Sequence, residues 1–91
     1  MATVINKIST NYNVANEGET LVMNGSFNHT DKINDLRLDV FENSTYIGNI
    51  YYTENEGSNA TMNMNVDMAH FMEVFTQLNN IINDINAQVK E

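Results

Sequence analysis

The hydrophobic rhythm of the chain changes once, at Asp67. From residue 19 to residue 66 apolar side chains recur at every second position. That spacing is the signature of strands with one buried face. Leu21, Met23, Gly25 and Phe27 share a face, as do Leu36, Leu38 and Val40. Tyr46, Gly48, Ile50 and Tyr52 form a third set, and Ala60, Met62, Met64 and Val66 a fourth. Beyond Asp67 the apolar residues fall three and four apart: Met68, Phe71, Phe75, Leu78, Ile82, Ile85 and Val89, widened by Met72, Val74 and Ile81. This is one amphipathic helix. Such a chain is restricted to the α+β class: an antiparallel meander of four to five strands with one long carboxyl-terminal helix packed on one face. The expected strands run near 3–14, 19–28, 35–42, 46–54 and 58–66, and the helix near 67–89. Ninety-one residues make this a single domain, 1–91.

The turns make the register specific. A three-residue loop Asn55-Glu56-Gly57, with glycine left-handed, pairs Tyr52 with Ala60 and Ile50 with Met62. A loop Asn43-Ser44-Thr45 pairs Val40 with Gly48, Leu38 with Ile50 and Leu36 with Tyr52. Both keep the apolar residues on one face, and a one-residue slip would not. Asn-Glu-Gly also occurs at 16–18. The same turn there pairs Tyr12 with Val22 and puts Tyr12 and Val14 on the opposite face. The β-branched content of residues 3–9 favours strand. Asp67 is the expected N-cap, and Lys90 suits the carboxyl end of the helix.

Length suggests a second copy. About 23 helical residues span roughly 35 Å, whereas an eight-residue strand spans about 27 Å. A helix lying along the strands leaves Ile82, Ile85 and Val89 overhanging the sheet, so these three are the candidate homodimer contacts. The alternative is a helix crossing diagonally, with the amino-terminal segment covering its end. The other sheet face carries Val22, Arg37, Phe41, Ile47 and Tyr51. Tyrosine and arginine are frequent interface anchors, and these five are the candidate partner-binding residues.

Composition narrows the partner. Four basic residues stand against 12 acidic ones, for a net charge of −8. Lys7, Lys32, Arg37 and Lys90 are scattered, which argues against direct nucleic-acid binding. Cysteine is absent, which excludes disulfides and thiolate chemistry. No stretch reaches the ~20 apolar residues of a membrane span, and residues 1–10 lack the pattern of a secretory signal. The expected location is therefore the cytoplasm of a bacterial or phage-infected host cell. The 17 asparagines fit an AT-rich genome, and with so many the four Asn-X-Ser/Thr sequons are expected by chance.

Chemistry-bearing clusters are sparse. Met62, Met64, Met68, Met72 and His70 have the donor types of a Cu(I) site. The methionine positions coincide with the core pattern, however, and methionine fills irregular gaps well, so packing is the preferred reading. His29 and Asp31 lie close in a loop without a nucleophile tied to them. No calcium or phosphate loop is present. No enzymatic activity, catalytic residue, metal or cofactor is expected. The expected function is a small acidic protein-binding module (adaptor, chaperone or assembly factor) acting as a homodimer on another protein. The alternative is a phage or mobile-element inhibitor in which Asp35, Asp39, Glu42, Glu54 and Glu56 mimic nucleic-acid phosphates toward a host nuclease or nucleic-acid-binding protein.

Overall fold

A computed structural model describes residues 2–8, 11–18, 20–55, 57 and 59–89. Six strands form one antiparallel sheet in sequence order: β1 (Ala2–Ile8), β2 (Asn11–Glu17), β3 (Leu21–His29), β4 (Ile33–Glu42), β5 (Thr45–Glu54) and β6 (Ala60–Asn65). Helix α1 (Phe71–Gln88) packs on one face. The α+β meander is as expected, with one strand more: residues expected as a single strand at 3–14 divide into β1 and β2. The core lies between sheet and helix. It contains Tyr12, Val14, Leu21, Met23, Phe27, Ile33, Leu36, Leu38, Val40 and Ile50 from the sheet, and Val74, Leu78, Ile81, Ile85 and Val89 from the helical segment. No described helix is long and apolar enough to cross a membrane.

The β4–β5 register is the expected one, Leu36 to Tyr52, Leu38 to Ile50 and Val40 to Gly48. The turn that produces it differs. Glu42 pairs with Thr45, leaving only Asn43 and Ser44 in the loop, both at positive φ (51° and 67°). That is a type I′ turn, whose twist suits a hairpin. The extra residue sits instead in a bulge, where the register shifts between Val40 and Phe41 and the partner strand carries Ile47.

Two expected registers need correction. In β5–β6, Tyr52 pairs with Met62 and Ile50 with Met64, two residues from the expected match. Asn55 N–H donates to Asn59 O at 2.9 Å, so the loop is displaced by one residue and Gly57, at φ 79°, is central in it. A two-residue shift preserves which face is buried. In β2–β3, Tyr12 pairs with Phe27 and Glu17 with Val22. Gly18 N–H donates to Leu21 O at 2.8 Å, so the turn lies after Gly18, unlike that at Gly57. This odd shift reverses the face. Tyr12 and Val14 are in the core, and Tyr12 stacks on Phe27 with ring centroids 5.1 Å apart.

The helix begins later than expected. His70 N–H donates to both the carbonyl (3.2 Å) and the carboxylate (3.1 Å) of Asp67. Asp67 therefore caps a tight turn that precedes α1, and His70 occupies the N-cap position. Eighteen helical residues span about 27 Å, and the ten-residue strands β4 and β5 span about 33 Å. The overhang disappears. Ile85 and Val89 are buried within the chain and Ile82 packs against the core. The helix comes closest to β1, and Ile5 and Tyr12 line one cleft with Gln88 and Val89 at its end. Lys90 lies outside the described residues.

Candidate functional site

Side-chain bonds fix how α1 is rolled on the sheet. Gln77, a polar residue at a core position, donates to Asn16 Oδ1 at 2.6 Å and to Leu21 O at 3.1 Å. Glu73 accepts from the Thr20 hydroxyl. Asp84 accepts from the Thr3 hydroxyl at 2.6 Å, and Thr3 in turn accepts from Asn16 Nδ2 at 2.6 Å. One flank of the helix is thus tied to β1, β2 and the start of β3. At 100° per residue the opposite flank carries Phe71, Met72, Phe75 and Ile82, with Met68 in the turn just before it.

That flank is where apolar surface is left uncovered. Met68 is 87% exposed, Met72 69%, Phe75 41% and Phe71 37%. Met62, on the helix side of β6, is 41% exposed. Of the seven exposed large apolar side chains among the described residues, five lie between Met62 and Phe75. The core-packing expectation for the methionines therefore holds only for Met64, which is half-buried against the core. Met62, Met68 and Met72 face solvent instead. Met62 does so from the helix side of β6, Met68 from the turn before α1 and Met72 from α1 itself.

His70 ties the turn before α1 to the end of β4. Its Nδ1 meets Asp67 Oδ1 and its Nε2 meets Glu42 Oε2 at 2.9 Å. The bond to Asp67 first, then that to Glu42, raises the imidazole pKa above its ordinary value, and the same contact lowers that of Asp67. Both ring nitrogens are engaged. At the opposite end of the sheet an open cleft of about 530 Å³ is lined by Asp31, Lys32, Tyr52, Glu54, Asn55, Gly57, Asn59 and Ala60. Glu54 there accepts from Ile33 N–H at 2.8 Å and from the Tyr52 hydroxyl at 2.9 Å. Burial and then Glu54 push the Tyr52 phenol to about 12, so it remains a hydrogen-bond donor at neutral pH. His29 ends β3 opposite Ile33 rather than lying in a loop.

The expected partner-binding set is divided. Val22 and Phe41 are cross-strand neighbours on the helix-free face, and Phe41 makes an edge contact with Tyr46 at 5.8 Å. Arg37 lies 4.7 Å from the Tyr51 ring centroid, and the Tyr51 hydroxyl donates to Asp35 at 2.6 Å. Ile47 does not join them, because the bulge turns it to pack against the core. The rest of this face is polar and laterally ordered. Asn24, Asp39, Asn49 and Asn65 stand side by side across β3–β6. Asn65 donates to Asn49 at 2.9 Å and Asn49 to the Tyr46 hydroxyl at 2.8 Å.

The expected dimer residues are not available on the surface. Ile85 and Val89 are buried beneath the amino-terminal strands and Ile82 is half-buried. The acidic set is not brought together either. Asp35 and Asp39 are on the helix-free face, while Glu42 and Glu54 are on the helix side at opposite ends of the sheet. Glu56 lies outside the described residues. Sequence reasoning missed the roll of the helix; the signal for it was Gln77, a polar residue inside the apolar stripe. No protein-family model, curated protein or solved structure matches this chain.

Proposed function

We propose that this chain is a non-enzymatic protein-binding module, an adaptor, chaperone or assembly factor, that holds another protein in the groove between β6 and α1. The observation that carries the reading is the run of uncovered methionine and phenylalanine between Met62 and Phe75. Methionine surfaces are polarisable and adjust to a partner's shape. Apolar side chains gathered in one groove are more consistent with an interface than the scattered ones any surface carries. The groove sits on paired strands and a helix tied down by Gln77, Asp84 and His70, so its walls are held in place before binding. A cytoplasmic location belongs to this proposal and rests on composition.

The test is affinity capture from cells of the source organism, with wild-type chain beside Met72→Glu and Phe75→Ser variants. The expected result is a discrete protein recovered by wild type and lost with both variants, while all three chains show the same circular dichroism. Recovery that is indifferent to both substitutions would remove the groove from the function.

A further inference from the structure

We infer that β6 accepts an extended segment of another protein as a seventh strand, and that this segment alternates apolar with polar residues and carries lysine or arginine at its ends. The inference rests on the protein-binding reading above and specifies its partner.

β6 is an edge of the sheet, so among the described residues no strand lies beside the backbone donors and acceptors on its outer side. Sheet edges are ordinarily protected from further pairing by charge, proline, a bulge or a covering element. The six residues Ala60, Thr61, Met62, Asn63, Met64 and Asn65 include neither charge nor proline. Their register with β5 runs from Asn49–Asn65 to Glu54–Ala60 without a shift. The opposite edge differs. β1 contains Lys7, is bonded to α1 through Thr3 and Asp84, and is the strand the helix approaches most closely. One edge is sheltered and the other is left ready to pair.

The pleat dictates the occupant's pattern, because alternate side chains of an added strand fall on opposite faces. Those on the helix side continue the rows that end in Met62 and Met64, so they must be apolar. Those on the other side continue the rows ending in Thr61, Asn63 and Asn65, so they must be polar. Charge sets the ends. Asp67 and Glu42 lie about the upper end, on either side of His70, and Asp31 and Glu54 line the cleft at the lower end, where Lys32 is the basic residue among the lining side chains. The chain as a whole carries −8. A second copy of the chain would fit the uncharged strand but would set these same carboxylates against their equivalents. Basic ends on the occupant do the opposite.

Amide resonances of the full chain are followed during titration with a synthetic peptide of alternating valine and threonine with two lysines at each end. Twins carry glutamates in place of the lysines, or a central proline. The expected result is that amides of residues 60–65 shift most and gain protection from exchange. The lysine peptide should bind at least about tenfold more tightly than the glutamate peptide at low salt, with the gap closing near ~0.5 M salt. The proline peptide, lacking a donor, should bind far more weakly, and Met62→Lys should weaken the lysine peptide without changing the unfolding midpoint. Shifts centred away from β6, equal binding of the two charged peptides, or sedimentation as a dimer that Met62→Lys dissociates would each overturn the inference. Were the peptide to fail while Met72→Glu and Phe75→Ser still abolished partner capture, the seventh strand would fall and the protein-binding function would stand. Capture that survived both of those substitutions would instead remove the function from the groove.

Discussion

Gln77 and Asn16 are the two buried polar residues among those described, and their bonds join α1 to β2. Gln77→Ala removes the bonds that its amide donates to Asn16 Oδ1 and, beside Gly18 N–H, to Leu21 O. A buried hydrogen bond contributes about 0.5–1.5 kcal/mol, so the two together contribute about 1–3 kcal/mol. Urea unfolding should show a loss in that range, and Asp84→Ala, nearer the surface, should lose less. His70 gives a second test at this scale. Its pKa is raised in the folded chain, so its contribution to stability is complete below the ordinary histidine value and fades as pH rises through the raised one. Asp67, lowered, acts in the other direction: its contribution is lost as pH falls through its folded value, below the ordinary carboxylate range. The bridge is therefore intact between those limits. The urea midpoint of the wild type should fall on passing from mildly acidic to mildly alkaline pH, and His70→Gln should flatten that dependence. A wild type and a variant with the same pH profile would show that the bridge carries no stability.

At the scale of the element, the turns decide what was legible in the sequence. The β4–β5 register was readable because alternation fixed the face and the short span between the strands left room for one match with it. The two-residue loop with its bulge was not, since a three-residue loop gives the same pairing further along. The repeated Asn-Glu-Gly misled in β2 because the turn there lies beyond the glycine, and the odd shift sent Tyr12 and Val14 to the core. The helix was readable in existence but not in roll. Its largest side chains, Phe71 and Phe75, suggest the centre of the buried stripe, yet hydrogen bonds through Glu73, Gln77 and Asp84 roll it about Val74, Leu78, Ile81 and Ile85. Neither those bonds nor the exposed methionines can be read from periodicity, because they depend on strands far away in sequence. The Asn43-Ser44 turn offers the test at this scale. Both residues are left-handed, a conformation that costs a non-glycine residue roughly 1–2 kcal/mol and that asparagine tolerates better than serine. Ser44→Gly should raise stability by about 0.5–1 kcal/mol in urea, whereas Asn43→Gly should give less.

Across the whole molecule, the burial that stabilises the fold and the exposure that we propose serves binding fall on different flanks of one helix. Substitutions on the two flanks should therefore separate the two properties. Met72→Gln keeps the helix-forming tendency of methionine, Met68→Gln changes the turn just before α1, and both alter side chains that are largely in water. Surface changes of this kind ordinarily shift stability by no more than about 0.5 kcal/mol, so the double variant should unfold with the wild type. It should nevertheless lose the captured partner, because an apolar groove depends on the contacts that these side chains supply. Ile85→Ala, one turn from the helix end and fully buried, should behave in reverse. It should lose about 2–5 kcal/mol of stability and, below its unfolding transition, retain the partner. If the double glutamine variant kept full capture, the exposed methionines would be ordinary surface. If it unfolded early instead, they would be packing in a way that their exposure contradicts.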